Sequence, residues 1–314
     1  MTIAPLCIFA FVSCGDFFNP SGPSGISAEA LTSWRPCVTV QNPGFRGTPE
    51  FEIQMQAVEK LQRAGSLKYM RLGGTDMRGV GLDYAVEAKR LGLQTIGIIR
   101  LADLELNPQG WENTYDRYKH IYGNSVDVWQ IGGEVKNADP SVNLVTMEPK
   151  LYILKFKRLF EYIRQRYPED IVTNAPTFGS HPGAREEFEK FIEAGLLEIE
   201  PDSNSNLIIA VHIYTSDALE DYGKVFNRYS SQLIRKTIWV TETGVNDPSQ
   251  HVNWVTGFYA NIISTLHPQL ICWYVLYGGE GLSDHGGHGL ITNVSNGLPL
   301  EERELFIRLT GGQR

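Results

Sequence analysis

This chain has little of what marks metal-binding, nucleotide-binding or membrane-spanning proteins. It carries only four cysteines in 314 residues. Cys7, Cys14, Cys37 and Cys272 form no CxxC pair and show no metal-ligand spacing, which excludes a zinc ribbon or a dithiol redox motif. Four scattered cysteines need not be bridged in a chain this long, and Cys272, set in an apolar run, reads as a buried thiol. No basic stripe interrupts a net charge of −8, so nucleic acid is not an expected partner. No segment approaches the ~20 apolar residues of a membrane span. No Gly-rich fingerprint follows an early strand, which removes an open dinucleotide-binding sheet. The Gly-rich stretch around Gly278–Gly281 and Gly286–Gly289 comes late and lacks the Lys of a phosphate loop. Low-complexity tracts and internal repeats beyond a strand–helix unit are missing as well.

What is present is the composition of a large globular core, 42% hydrophobic and 20% charged. Six Trp, fourteen Tyr and fourteen Phe supply flat faces with polar edges, which suit sugar rings as well as core packing. Residues 1–36 read as an N-terminal segment. Its apolar stretch Ile8–Val12, followed by Ser13-Cys14, fits a short signal or lipoprotein pattern, but no Lys or Arg precedes it, and an extra strand is the alternative. Residues 15–36, rich in Pro, Gly and Ser, read as a linker or cap. An extracytoplasmic protein, secreted or lipid-anchored, is the first expectation and a cytoplasmic one the alternative.

From residue 37 to 314 the chain reads as one domain in which short apolar strands alternate with amphipathic helices. Strands are expected at Cys37–Val40, Leu67–Leu72, Leu93–Ile99, Val126–Ile131, Ile171–Asn174, Leu207–Ile213, Thr237–Thr241 and Leu270–Leu276. Their β-branched, nearly continuous apolar character is that of strands buried on both faces. Helices are expected at Glu50–Ala64, Asp83–Leu91, Trp111–Tyr122, Pro149–Tyr167, Ala184–Ala194, Asp217–Arg235, Pro248–Leu266 and Leu300–Leu309, bounded by Gly and Pro at the usual positions. Eight such units predict an α/β fold of the (β/α)8 TIM-barrel type.

In such a barrel, functional groups sit at the C-terminal ends of the strands. Strand four ends in Trp129-Gln130-Ile131-Gly132-Gly133-Glu134, and strand seven in Trp239-Val240-Thr241-Glu242-Thr243-Gly244. A carboxylate at the lip of a buried strand is costly to desolvate and is seldom placed there without a task. Two of them on different strands match the needs of glycosidic-bond chemistry, where one carboxyl delivers a proton while the other is ionised. Strand two ends in Arg71, strand five in Asn174, strand six in His212-Ile213-Tyr214 and strand eight in Trp273. Strand alternation puts His212 and Tyr214 on one face, and sets Trp129 and Trp239 opposite the glutamates, against the helices.

These segments resemble the large clan of retaining (β/α)8-barrel glycoside hydrolases with catalytic glutamates at the ends of strands four and seven. WQIGGE is similar to the clan's acid/base segment and WVTETG to its nucleophile segment, with the likeness in element order running over about residues 37–310. The resemblance implies that Glu134 is the acid/base and Glu242 the nucleophile, with carboxyls about 5–5.5 Å apart. It implies that Arg71 and Tyr214 hold Glu242 ionised and aimed, that His212 lines the floor and that Trp273 stacks under the sugar. Asn174 is a further candidate substrate contact, as are Asp76 and Arg78. No cofactor and no metal are implied, and the partner is an oligo- or polysaccharide. One position departs from the pattern. Gly133 stands where the clan usually has the Asn that binds the sugar 2-hydroxyl. The departure leaves a weakened or inactive enzyme, a C2 substituent in the vacated space, or another residue supplying the contact.

Two other functions compete with this one. A carbohydrate-binding barrel without catalysis is supported by Gly133. A metal-dependent barrel hydrolase would draw on His181, His212, His285 or His288, although no HxH pair lies on one strand. His285-Gly286-Gly287-His288 itself reads as a flexible loop, and Asn293-Val294-Ser295 is a glycosylation sequon.

Overall fold

The computed structural model describes residues 35–41, 46–75, 78–79, 81–136, 145–177, 183–200, 206–278, 286–293 and 300–311. The signal and linker readings of residues 1–34, and those made for Asp76, His181, His285 and Ser295, lie outside the described residues.

Eight parallel strands close into a barrel in sequence order: β1 (Cys37–Val40), β2 (Tyr69–Leu72), β3 (Gln94–Ile99), β4 (Val128–Ile131), β5 (Ile171–Asn174), β6 (Leu207–His212), β7 (Thr237–Thr243) and β8 (Leu270–Trp273). Around them run α1 (Pro49–Arg63), α2 (Leu82–Arg90), α3 (Leu101–Glu105), α4 (Gly110–Tyr122), α5 (Pro149–Arg166), α6 (Ala184–Glu193), α7 (Ser216–Arg228) and α8 (Ser230–Leu233). The expected helix Pro248–Leu266 is interrupted: α9 (His251–Asn253) and α10 (Tyr259–Leu266) flank a π-helical stretch, Trp254–Phe258. The expected helix Leu300–Leu309 is in fact strand β10 (Leu300–Glu302), paired with β9 (Ile291–Asn293), followed by α11 (Glu304–Leu309). No helix among the described residues is long and apolar enough to cross a membrane.

The helices start where the sequence offers a cap. Thr48 accepts from the Phe51 amide at α1 and Thr215 from the Ala218 amide at α7, each satisfying a donor that the first turn leaves orphaned. The strands bury both faces. Val38, Val40, Met70, Leu72 and Ile131 pack outward against the helices, while Cys37, Ile96, Val128, Ile208, Trp239, Leu270 and Cys272 form a separate apolar layer inside the barrel. Nearer the C-terminal ends the interior turns polar, with Thr39, Arg71, Gln130 and Thr173 all buried.

Two features of this interior correct the sequence reading. Cys272 is buried but is not a thiol: it is bridged to Cys37. Barrel closure makes β1 and β8 neighbours and sets the two cysteines in register, with Cα atoms 4.4 Å apart across a sequence separation of 235. Spacing along the chain gives no hint of such a pair. The second feature is a bulge in β7. Val240 pairs with Val211 but Glu242 pairs with His212, and on the other side Val240 pairs with Ile271 but Thr243 with Trp273. Thr241 is therefore one residue more than either neighbour has. A bulge resets the alternation of a strand, so Trp239 and Glu242 both face inward despite opposite parity. Trp239 packs in the inner layer, edge-on to Tyr69 at 5.5 Å, and not against the helices. Trp129 does face outward, into Tyr115, Tyr118 and Tyr122 of α4.

Candidate active site

Glu134 stands just beyond β4, after a turn at Gly132 with φ of 95°. That left-handed conformation suits glycine, and a Cβ there would also crowd the Ala175 side chain at 3.2 Å. Glu134 is 5% exposed, and its Oε1 lies 2.6 Å from His212 Nδ1. Glu242, at the bulged end of β7, is met from three sides. Arg71 Nη1 donates to its Oε1, the Tyr214 hydroxyl donates to its Oε2 at 2.6 Å, and His212 Nδ1 lies 3.5 Å from Oε2. One carboxylate oxygen from each glutamate and the His212 nitrogen all lie within 4.8 Å of one another.

Arg71 reaches Glu242 from the polar layer of the barrel. Its Nε donates to Gln130 Oε1 at 3.2 Å and its Nη1 to Thr39 Oγ1 at 3.4 Å, so the guanidinium is buried with partners on β4 and β1. A buried charge is tolerated when it is paired and hydrogen-bonded. Burial by itself would raise the Glu242 carboxyl. Burial is the largest single influence, but the charge and hydrogen bond of Arg71, the His212 ring and the Tyr214 hydroxyl together outweigh it and hold Glu242 down at about 2. Burial and the Glu242 charge push Tyr214 well above the usual phenol range, so it stays a donor. His212 turns Nδ1 toward both carboxyls, while its buried Nε2 has no partner among the described residues. The ring's hydrogen bonding is thus committed to the carboxylate side.

The structure brings together Glu134, Glu242, Arg71, His212 and Tyr214. It does not bring in the other two residues. Trp273 is fully buried on the helix side of β8, its ring 4.9 Å from that of His251 and its indole N–H donating to the His288 carbonyl at 2.9 Å. A side chain with no exposed face cannot stack on a sugar. The next residue, Tyr274, takes the inward position: its hydroxyl accepts from Gln41 Nε2 at 2.8 Å and its ring stands 6.3 Å from that of Tyr214. Alternation counted from Cys272, an inner-layer residue, carries that signal. Asn174 is spent on the backbone. Its amide accepts from the Ala210 N–H at 2.9 Å and donates to the Ala210 carbonyl at 3.1 Å. The β5–β6 ladder stops at Thr173–Ile208, and the side chain continues the pairing beyond it. Gln41, Gln130 and Thr39 were not singled out by sequence, since uncharged polar residues in strands carry no distinctive mark.

Glu134, His212 and Glu242 are also the described residues closest to a metal-ligand set. Arg71 and Tyr214 already take both oxygens of Glu242, so the positive charge that a cation would bring is supplied by the guanidinium. Of the histidines weighed for metal, His212 bonds Glu134 and His288 lies in a turn after β8.

No protein-family model matches the chain, and no curated relative does. Solved structures do match. The endo-β1,6-glucanase BT3312 is similar over 88% of this chain and 76% of its own, at 11% identity and a TM-score of 0.60. AbfB, a family 51 α-L-arabinofuranosidase from Bifidobacterium longum, is similar over 89% of this chain and 72% of its own, at 10% identity and 0.57. The chain has the barrel fold of these glycoside hydrolases. β-Glucuronidase 2 of Bacteroides uniformis matches over 82% of this chain, at 13% identity and 0.55, but this chain spans only 33% of that one. At such identities the likeness is one of fold, and the chemistry has to be argued from the site.

Proposed function

We propose that this chain is a retaining β-glycoside hydrolase that acts on oligo- or polysaccharide by double displacement, without a cofactor. The observation that carries this is the pair of glutamates with carboxylate oxygens within 4.8 Å and unlike surroundings. Inverting enzymes keep their carboxyls about 6.5–9.5 Å apart to admit a water, so the short separation favours retention. In the first step Glu134 protonates the leaving oxygen as Glu242 attacks the anomeric carbon. The C–O bond breaks, the aglycone leaves, and a glycosyl ester forms on Glu242. In the second step Glu134 takes a proton from water, the water attacks the anomeric carbon, and Glu242 leaves as carboxylate. Arg71 and Tyr214 keep Glu242 ionised for attack and make it a better leaving group afterwards. His212 touches both carboxyls and fixes the oxygen of Glu134 that is not used for proton transfer.

The test uses Glu134→Ala on aryl β-glycosides of graded leaving-group ability. Turnover should survive on substrates that need little proton donation and collapse on poor leaving groups. Added azide should restore turnover and give the β-glycosyl azide. Equal losses across the series, or an azide product of inverted configuration, would remove the assignment.

Gly133 favours a second reading, a barrel that binds carbohydrate without cleaving it. Gly132 carries the left-handed turn of this segment, and Gly133 does not share its positive φ. Gly133→Asn should then raise kcat/KM if a plain sugar is the substrate. A wild-type protein that binds β-linked oligosaccharides but turns over no activated glycoside would establish the binder. The Cys37–Cys272 bridge supports an extracytoplasmic placement, since such bonds persist in oxidising compartments.

A further inference from the structure

Gln130 hydrogen-bonds to neither glutamate, yet it lies on a path that joins them. Its side chain is fully buried in the polar layer of the barrel. Its Oε1 accepts from Arg71 Nε at 3.2 Å, and its Nε2 donates to the Gly132 carbonyl at 2.9 Å. Arg71 in turn donates through Nη1 to Glu242. Gly132 is the left-handed turn residue two positions before Glu134. On the other side, His212 Nδ1 lies 2.6 Å from Glu134 Oε1 and 3.5 Å from Glu242 Oε2. The contacts therefore close into a ring that runs through Glu242, Arg71, Gln130, the Gly132 peptide, Glu134 and His212.

The ring asks two different things of position 130. A guanidinium can only donate and a main-chain carbonyl can only accept, so the side chain between them must accept on one side and donate on the other. A primary amide does both and carries no charge. A carboxylate in its place would meet the Gly132 carbonyl acceptor to acceptor, and would draw the Arg71 charge away from Glu242. The turn has other supports. The Gly132 N–H donates to the Ile99 carbonyl at 2.7 Å, and the Tyr152 hydroxyl donates to the Ile131 carbonyl at 2.6 Å while accepting from the Ala175 N–H at 2.7 Å. These bonds fix the chain before the turn. The Gly132 carbonyl belongs to the peptide that leads into Gly133 and Glu134, and two glycines in succession have a backbone freedom that the Gln130 bond removes.

Resting on the glycosidase reading above, we propose that Gln130 is a positioning residue that holds the acid/base and the nucleophile in one hydrogen-bonded frame. It sets the peptide that carries Glu134, and it accepts from Arg71 without competing for the charge that Glu242 needs.

The experiment compares wild type, Gln130→Met and Gln130→Glu on aryl β-glycosides of graded leaving-group ability over a range of pH, with thermal melts to confirm folding. Met fills much the same volume and makes neither bond. Gln130→Met should lower kcat about tenfold on poor leaving groups and about twofold on activated ones, with little change in KM, because a misplaced Glu134 matters most where a proton must be delivered. Its acid limb should stay in place, since Arg71 keeps its charge for Glu242. Gln130→Glu keeps the acceptor and loses the donor. It should show the same leaving-group pattern and, in addition, an acid limb moved to higher pH by about one pH unit. The groups that face Glu242 are the same in both variants: Arg71 from β2, Glu134 after β4, His212 and Tyr214 from the end of β6, and Tyr274 after β8. Equal losses across the leaving groups in Gln130→Met, or no loss, overturn the proposal, and so does an unmoved limb in Gln130→Glu. Where one variant does not fold, the other decides alone. If wild type turns over no glycoside, the hydrolase reading falls, and crystal structures of wild type and Gln130→Met decide the frame. A Glu134 carboxyl drawn away from His212 upholds it, and one that stays in place overturns it.

Discussion

The two ends of the barrel interior are built from the same eight strands and obey different rules. The inner layer of Cys37, Ile96, Val128, Ile208, Trp239, Leu270 and Cys272 is apolar and closed by a disulfide. A few residues further along those strands, Arg71, Gln130, His212 and Glu242 put hydrogen-bonded polar groups in the same channel. The lower layer gains from burial alone. The upper layer holds a charged pair whose desolvation is offset only by close contact, so it is justified by chemistry more than by stability. Stability and the proposed chemistry are thus separated by position along a strand, and not by element.

Glu242→Gln should make the sharpest break, lowering kcat by at least about 10⁴-fold while leaving the fold intact, since the amide keeps an oxygen for Arg71. Activity assays paired with circular dichroism check it, and a stability loss matching the activity loss would erase the distinction between the ends. Trp239→Ala should do the reverse. Deleting a large inner-layer ring costs about 3–5 kcal/mol in denaturant titration, with kcat of the folded fraction within about threefold of wild type. Replacing both Cys37 and Cys272 by serine should cost about 2–4 kcal/mol and leave kcat/KM nearly unchanged at temperatures where the protein stays folded. A large catalytic defect there would mean that the lower layer sets the geometry of the upper one.

The smallest effect is one of pH. Glu242 is held at about 2 in the folded protein, below the ordinary carboxylate range near about 4.3. A depressed carboxyl stabilises the fold above its unfolded value and loses that contribution as pH falls from there through about 2. Arg71→Met removes the chief cause, so the acid limb of the kcat/KM profile should move to higher pH, by about 1 to 3 units. A limb that stays in place would show that Arg71 does not govern the ionisation of Glu242.

Much of this was legible in the sequence because the strands are buried on both faces. Continuous apolar runs such as Leu207–His212 and Gln94–Ile99 have one physical explanation in an alternating chain, and they placed all eight barrel strands. The glutamates stood out because charge at the end of such a run is expensive, and Arg71, His212 and Tyr214 because they too end barrel strands; the structure brings these five side chains together. The failures share a different cause, which is that they depend on neighbours rather than on the strand itself. Trp239 was assigned by parity, and parity fails across the bulge at Thr241. Asn174 sits at a strand end, as a ligand-binding residue would, but it serves a ladder that runs out of backbone partners. Trp273 faces the helices and Tyr274 turns inward instead, because the inner face of β8 is fixed by Cys272 and its bond to a strand 235 residues away.

The extra residue at Thr241 has a consequence for how this protein could change over generations. Deleting that single codon would leave Trp239 inward, Val240 outward and Glu242 inward by strict alternation, opposite His212 as it is now. Trp239 and every residue before it would keep their places. A relative one residue shorter in β7 would therefore keep the same carboxylate beside Arg71, Tyr214 and His212. In comparing relatives of this chain, the position opposite His212 is a surer guide to that carboxylate than its spacing from Trp239.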